Sequence, residues 1–195
     1  MVDHLDLGRE FFAQLEQFDE QMARRVAEAG CPRCGGPLHR GDYERKPRGA
    51  LIAPAGEVSV VRFSLCCGRE GCRKRAMPPS LRFLGRRVYL GAVVLVASML
   101  AQALTTAGSS RRRTGVPART TQRWLGWWRG PFVLTAVLVA LRARLVGVDN
   151  KTLPASIVAK LQGTGEQRVR AVLELLAPLT TGSLPAGSRF LRGPA

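Results

Sequence analysis

The feature that most constrains the fold is the placement of the cysteines, all five of which fall within 42 residues. Cys31-Pro32-Arg33-Cys34 is a pair with two-residue spacing, which on a tight turn lets two thiolates bind one tetrahedral ion while the intervening amides point toward the sulfurs. A second glycine-bracketed turn follows after about thirty residues, Cys67-Gly68-Arg69-Glu70-Gly71-Cys72. Two such knuckles at hairpin tips make a zinc ribbon, with Cys31, Cys34, Cys67 and Cys72 as the expected ligands. Cys66 competes for the third position. Cys67 is preferred because it shares a strand face with Val61, Phe63 and Leu65 and leads directly into the glycine turn. His39 is a further candidate, although a lone histidine on a strand is more often a surface or packing residue. A disulfide framework would spread its bridges over the chain rather than gather them. Four thiolates also close the coordination sphere, so the expected Zn2+ builds a module and does not activate water.

The rest of the chain reads as mainly α around this small β ribbon. With 46% hydrophobic and 23% charged residues, 195 residues can bury a real core. Residues 1–30 form an amphipathic helix, because Phe11, Leu15, Phe18, Met22 and Val26 recur at helical steps before Gly30 and Pro32 stop the pattern. That helix is expected to pack on the chain's own core; docking on a second copy would give the same pattern. Residues 31–80 are the ribbon, with strands over Leu38–Tyr43 and Glu57–Cys67, the latter carrying a register shift or bulge. Residues 81–130 are a helix-turn-helix region, 131–177 hold C-terminal helices, and 178–195 form a loose tail rich in Gly, Pro, Ser and Thr. The apolar run Val88–Ala101 has only 14 residues, short of the roughly 20 that cross a bilayer, and the run Phe132–Val148 would put Arg142 and Arg144 at depth. No membrane span is expected. Met1–Glu10 contains three acids and no apolar stretch, so it is no secretory signal, and a cytoplasmic location is expected.

The net charge of +16 calls for a polyanion, and its distribution says where. Residues 1–30 carry −4 and residues 131–195 carry +5, whereas residues 31–130 hold nineteen Lys and Arg against four acids, a balance of +15. Within that middle, Gly115-Val116-Pro117-Ala118-Arg119-Thr120-Thr121-Gln122-Arg123-Trp124 reads as the turn and second helix of a helix-turn-helix. If the helix runs to Trp128, Pro117, Thr121, Trp124 and Trp128 share one face and Arg119, Gln122 and Arg123 point away from it. Arg and Gln are the types that pair with guanine and adenine edges in the major groove, while Arg111, Arg112 and Arg113 suit phosphates. Trp127 and Trp128 are expected in the core; stacking on single-stranded bases is the other use of such residues.

Cys31 and Cys34, the run Arg62–Arg75, the run Pro78–Arg87 and the segment Gly115–Trp128 together resemble the zinc-ribbon plus helix-turn-helix proteins of bacterial insertion sequences. The resemblance is one of arrangement over about residues 31–130. It implies recognition of element duplex DNA in a transposition-associated or regulatory role, with a transposase as a partner and the nucleoid as its place. Complete transposases of this kind add a nuclease domain holding two metal ions on three carboxylates. Residues 71–195 contain only Asp149, Glu166 and Glu174 as acids, so the chain is expected to bind DNA rather than cut it. A transposase fragment completed by another subunit and an RNA- or ribosome-associated zinc ribbon are the alternatives.

Overall fold

A computed structural model describes residues 7–45, 61–84, 89–103 and 114–181. The chain is mainly helical with two small antiparallel sheets. Helix α1 (Arg9–Ala29) buries Phe11, Phe12, Leu15, Asp19 and Ala23. Phe18, Met22 and Val26, expected on that face, lie half-buried on its flank, so the helix is rotated from the apolar stripe. The reason is polar. Asp19 is only 1% exposed and accepts hydrogen bonds from Ser80 Oγ at 2.6 Å, the Leu81 amide at 2.6 Å and Arg82 Nε at 3.0 Å. A carboxylate with that many donors can be buried where an unpaired one could not. Burial still pushes its carboxyl above the usual carboxylate value, against the pull of Ser80, Arg82 and Leu81.

The strands are short: β1 (Leu38–Arg40), β2 (Tyr43–Glu44), β3 (Val61–Arg62), β4 (Leu65–Cys67) and β5 (Arg75–Ala76). Leu38 faces Cys67 in the β1–β4 pair and Tyr43 faces Arg62 in the β2–β3 pair, which is one and the same register on both sides of a break. No residue is inserted between the two pairs, so the expected bulge is replaced by an interruption. At that point the Gly41 amide donates to Ser64 O at 2.8 Å, whereas the Ser64 amide turns to the Asp42 carboxylate at 2.8 Å. A side chain thus substitutes for a ladder acceptor and splits one long hairpin into two sheets. β5 adds to the other edge of β4, giving the order β1-β4-β5. Residues 57–60 of the expected second strand lie outside the described residues.

Two buried arginines brace this small β unit, and one of them ties it to α1. Arg62, 1% exposed, donates to Phe63 O at 3.2 Å and Pro78 O at 2.6 Å. Arg82 reaches Val61 O at 2.9 Å and Glu16 at 3.1 Å, with its guanidinium 5.0 Å from the Phe63 ring centre.

The core proper is helical. In α2 (Gly91–Ala103) every residue from Gly91 to Leu100 is buried, as expected of a central helix that is apolar all round. It packs against α3 (Ala118–Arg129) and α6 (Gly165–Leu176). Between those two lie α4 (Ala136–Arg142) and α5 (Ala155–Val158). The apolar run Phe132–Val148 is not one helix. A 3-10 turn at Pro131–Leu134 ends at Thr135, whose hydroxyl caps α4 by accepting from the Leu138 amide at 3.2 Å. Pro178–Thr180, expected to be part of a loose tail, instead completes a 3-10 turn in which Thr180 Oγ1 accepts from the Ser80 amide at 2.8 Å; residues 182–195 lie outside the described residues. Among the described residues no single helix is long and apolar enough to cross a membrane.

Candidate metal centre and exposed helical face

Two turns carry the cysteines. In the first, the Cys31 carbonyl accepts from the Gly35 amide at 2.8 Å and the Cys34 amide at 3.3 Å, while the Cys31 amide donates to Gly36 O at 2.9 Å. In the second, the Cys67 amide donates to Lys74 O at 2.9 Å and the Cys72 amide to Arg69 O at 3.2 Å. The Gly68 amide bonds Pro37 O at 2.9 Å, and Arg69 donates to Cys34 O at 3.1 Å, so the two turns face each other. Their sulfurs meet: Cys31 and Cys72 at 3.7 Å, Cys34 and Cys67 at 3.5 Å, with all four within 4.8 Å of one another. These separations are too long for a disulfide, whose S–S bond is about 2.05 Å. They match the edge of a tetrahedron, about 3.8 Å when the metal–sulfur distance is about 2.3 Å. The four cysteines therefore form a cluster that can hold one metal ion. Gly36 forms its floor, since a Cβ there would sit 3.4 Å from both Cys34 Sγ and Cys67 Sγ.

The thiols differ in acidity. The Arg33 amide, helped by the Cys34 amide and the neighbouring thiols, holds Cys31 down to about 7 against the effect of burial. Burial pushes Cys67 up to about 12, and the surrounding thiols add to it. Thiolates are the metal-binding form, so filling the cluster would release protons.

The two competing ligands fall outside the cluster. Cys66, on the opposite face of β4, sits 3.6 Å from Arg73 O and 3.9 Å from Cys67 O. The imidazole of His39 packs on Gly68, where any Cβ would collide with it.

The second candidate surface is α3. Gly115 turns into it at φ +66°, a left-handed conformation that favours glycine. The Val116 amide donates to buried Thr114 Oγ1 at 3.1 Å. The helix begins one residue later than expected: Pro117 is the residue before the first turn, and its carbonyl accepts from Thr120 and Thr121 at 2.9 and 3.1 Å. Its inner face carries Thr121, Trp124, Leu125, Trp127 and Trp128. Trp128 donates to Ser98 Oγ of α2 at 3.1 Å, and Trp124 stands edge-on to Tyr89 with ring centres 4.9 Å apart. Trp127 lies tilted against Phe132 and Trp128 stands edge-on to it, with ring centres 5.2 and 4.9 Å apart. The tryptophans are thus committed to the core, not open to bases.

Arg119, Gln122 and Arg123 are exposed on the opposite face. Sequence reasoning missed that Gly126 and Arg129 continue this face; extending the same helical spacing one turn further would have found them. Arg111, Arg112 and Arg113, and with them the helix that would precede the turn, lie outside the described residues.

Asp149, one of the three C-terminal acids, is engaged as a cap, accepting from the Lys151 amide at 2.9 Å and Thr152 Oγ1 at 3.0 Å. Among the described residues only the four cysteines form a group of three or more metal-capable side chains. No protein-family model, no curated protein and no solved structure matches the chain.

Proposed function

We propose that the chain is a zinc-ribbon protein that binds duplex DNA through the exposed face of α3, with one structural Zn2+ held by Cys31, Cys34, Cys67 and Cys72. The observation that carries this reading is the division of α3 into a tryptophan face locked into the core and an outer face of Arg119, Gln122, Arg123, Gly126 and Arg129. A helix about 10–12 Å across suits a major groove about 12 Å wide. Its outer side chains are the types that read guanine and adenine, and the rigid inner face fixes where they point. Gly126, beyond whose Cα nothing lies within 4 Å, leaves room for a close approach at the middle of the face. The +15 balance of residues 31–130 supplies attraction to phosphates, to which Arg111, Arg112 and Arg113 contribute.

An all-thiolate tetrahedron suits zinc rather than oxygen-seeking magnesium or calcium, and it leaves no open position for catalysis. The metal folds a β unit whose strands are two or three residues long. Function in transposition-associated or regulatory binding of insertion-sequence DNA, in the nucleoid, follows from the resemblance in arrangement. The test is titration of the full-length, metal-analysed protein against a short duplex and a structured RNA of equal length. One zinc per chain and tighter binding to the duplex are expected. Iron in place of zinc, or RNA bound as tightly as the duplex, would overturn the corresponding half of the proposal.

A further inference from the structure

The second cysteine turn carries a basic surface that α3 does not account for. Arg69, Arg73, Lys74 and Arg75 are all exposed there, and Arg33 is exposed on the facing turn. Glu70 is the one acid between Cys67 and Ala76. Among the described residues, the side chains of Arg33, Arg73, Lys74 and Arg75 have no ion-pair partner.

Arg73 is the informative residue. The chain enters the left-handed region immediately after the second cysteine of each turn, at Gly35 with φ +67° and at Arg73 with φ +44°. Among the described residues Arg73 is the one non-glycine with positive φ. Glycine does this at no steric cost, as the first turn illustrates, whereas an arginine there stores backbone strain. The fold alone therefore favours glycine at this position, and the turn does not account for the arginine.

Two local explanations fall short. Four thiolates around a divalent ion carry a net charge of about −2, which five cations against one acid exceed. Charges on the edge strand β5 would discourage strand pairing, but Arg73 and Lys74 precede that strand. The β unit is also tied to α1 by buried Arg82, which bonds Val61 O at 2.9 Å and Asp19 at 3.0 Å, so its basic ridge keeps a fixed orientation on the body.

We infer that this ridge, Arg73, Lys74 and Arg75 with Arg33 and Arg69 beside them, is a second DNA contact that grips backbone phosphates of the duplex whose bases α3 reads. The inference rests on the duplex-binding proposal. Contacts of this kind position the protein without carrying sequence information, so the ridge and α3 fail differently when altered.

The experiment uses the full-length zinc-loaded protein, with Arg73→Gly, Lys74→Ala and Arg75→Ala combined, titrated over a salt series against a duplex of arbitrary sequence. Zinc content should be unchanged and the unfolding temperature equal or higher, because glycine relieves the strain. The slope of log affinity against log salt should fall by roughly 0.9 per contact, so that over a fourfold rise in salt the unaltered protein loses about 40-fold more affinity than the variant. An unchanged slope, with Arg123→Ala still weakening binding to the preferred site alone, would overturn the ridge and leave the α3 reading standing. Loss of zinc from the variant would assign the cations to the metal centre and overturn it too. A slope change on structured RNA but not on the duplex would assign the ridge to RNA. No duplex binding by the unaltered protein would remove the underlying proposal itself.

Discussion

Asp19 tests the polar hub at the scale of a single residue. Changing it to Asn keeps the volume but takes from the fully buried Arg82 guanidinium its buried counter-charge, leaving the part-exposed Glu16, a loss that costs at most about 3–5 kcal/mol. Glu20, 30% exposed, pairs with Arg24 and Arg40 at the surface, and Glu20→Gln should cost no more than about 1 kcal/mol. Urea unfolding of the two variants measures the contrast, and equal costs would show that the hub is not what seats α1. Nothing in the sequence marks Asp19, which reads as one more acid on an acidic helix; its partners lie more than sixty residues further along. The choice of Cys67 over Cys66 was legible, since strand alternation puts successive residues on opposite faces and Cys67 alone shares the buried face of Leu65. Cys66→Ser should accordingly retain the metal and Cys67→Ser release it, as elemental analysis would show; the reverse would exchange the two ligands.

At the scale of the element, α3 was legible because its two faces differ in kind: aromatic residues recur on one and Arg or Gln on the other. Its start was misjudged by one residue, since Pro117 suits either the first turn or the position before it. The rotation of α1 was not legible. Its sequence offers Phe18, Met22 and Val26 as an apolar stripe, and only the tertiary bonds to Asp19 decide against it. The uneven use of α3 gives a prediction. Trp128→Ala removes a side chain with 0% exposure and its hydrogen bond to Ser98 Oγ, and should cost about 3–5 kcal/mol. Arg123→Ala, on the exposed face, should change stability by less than about 0.5 kcal/mol. Thermal unfolding that ranked them otherwise would mean the helix is not oriented as described.

Across the whole molecule, one buried cluster runs from Leu7 in front of α1 through α2, α3 and α6 to Leu179. Phe63, between β3 and β4, and Leu65 of β4 are buried outside it. The β unit thus draws its coherence from the cysteine cluster and from arginine bonds to its neighbours rather than from a large core. The sequence showed the alternation of helical and β segments but not how they close, because closure depends on Asp19, Arg82 and Thr180, polar residues with partners sixty or more residues away. The proposed function depends on the outer face of α3 reading bases. Selection from a random duplex pool with the full-length zinc-loaded protein, repeated with Arg123→Ala, measures this directly. A preferred site should be enriched, and the variant should lose about 1–3 kcal/mol on that site while binding arbitrary duplexes as before. Failure to enrich any sequence, or an equal loss on every duplex, would contradict the account.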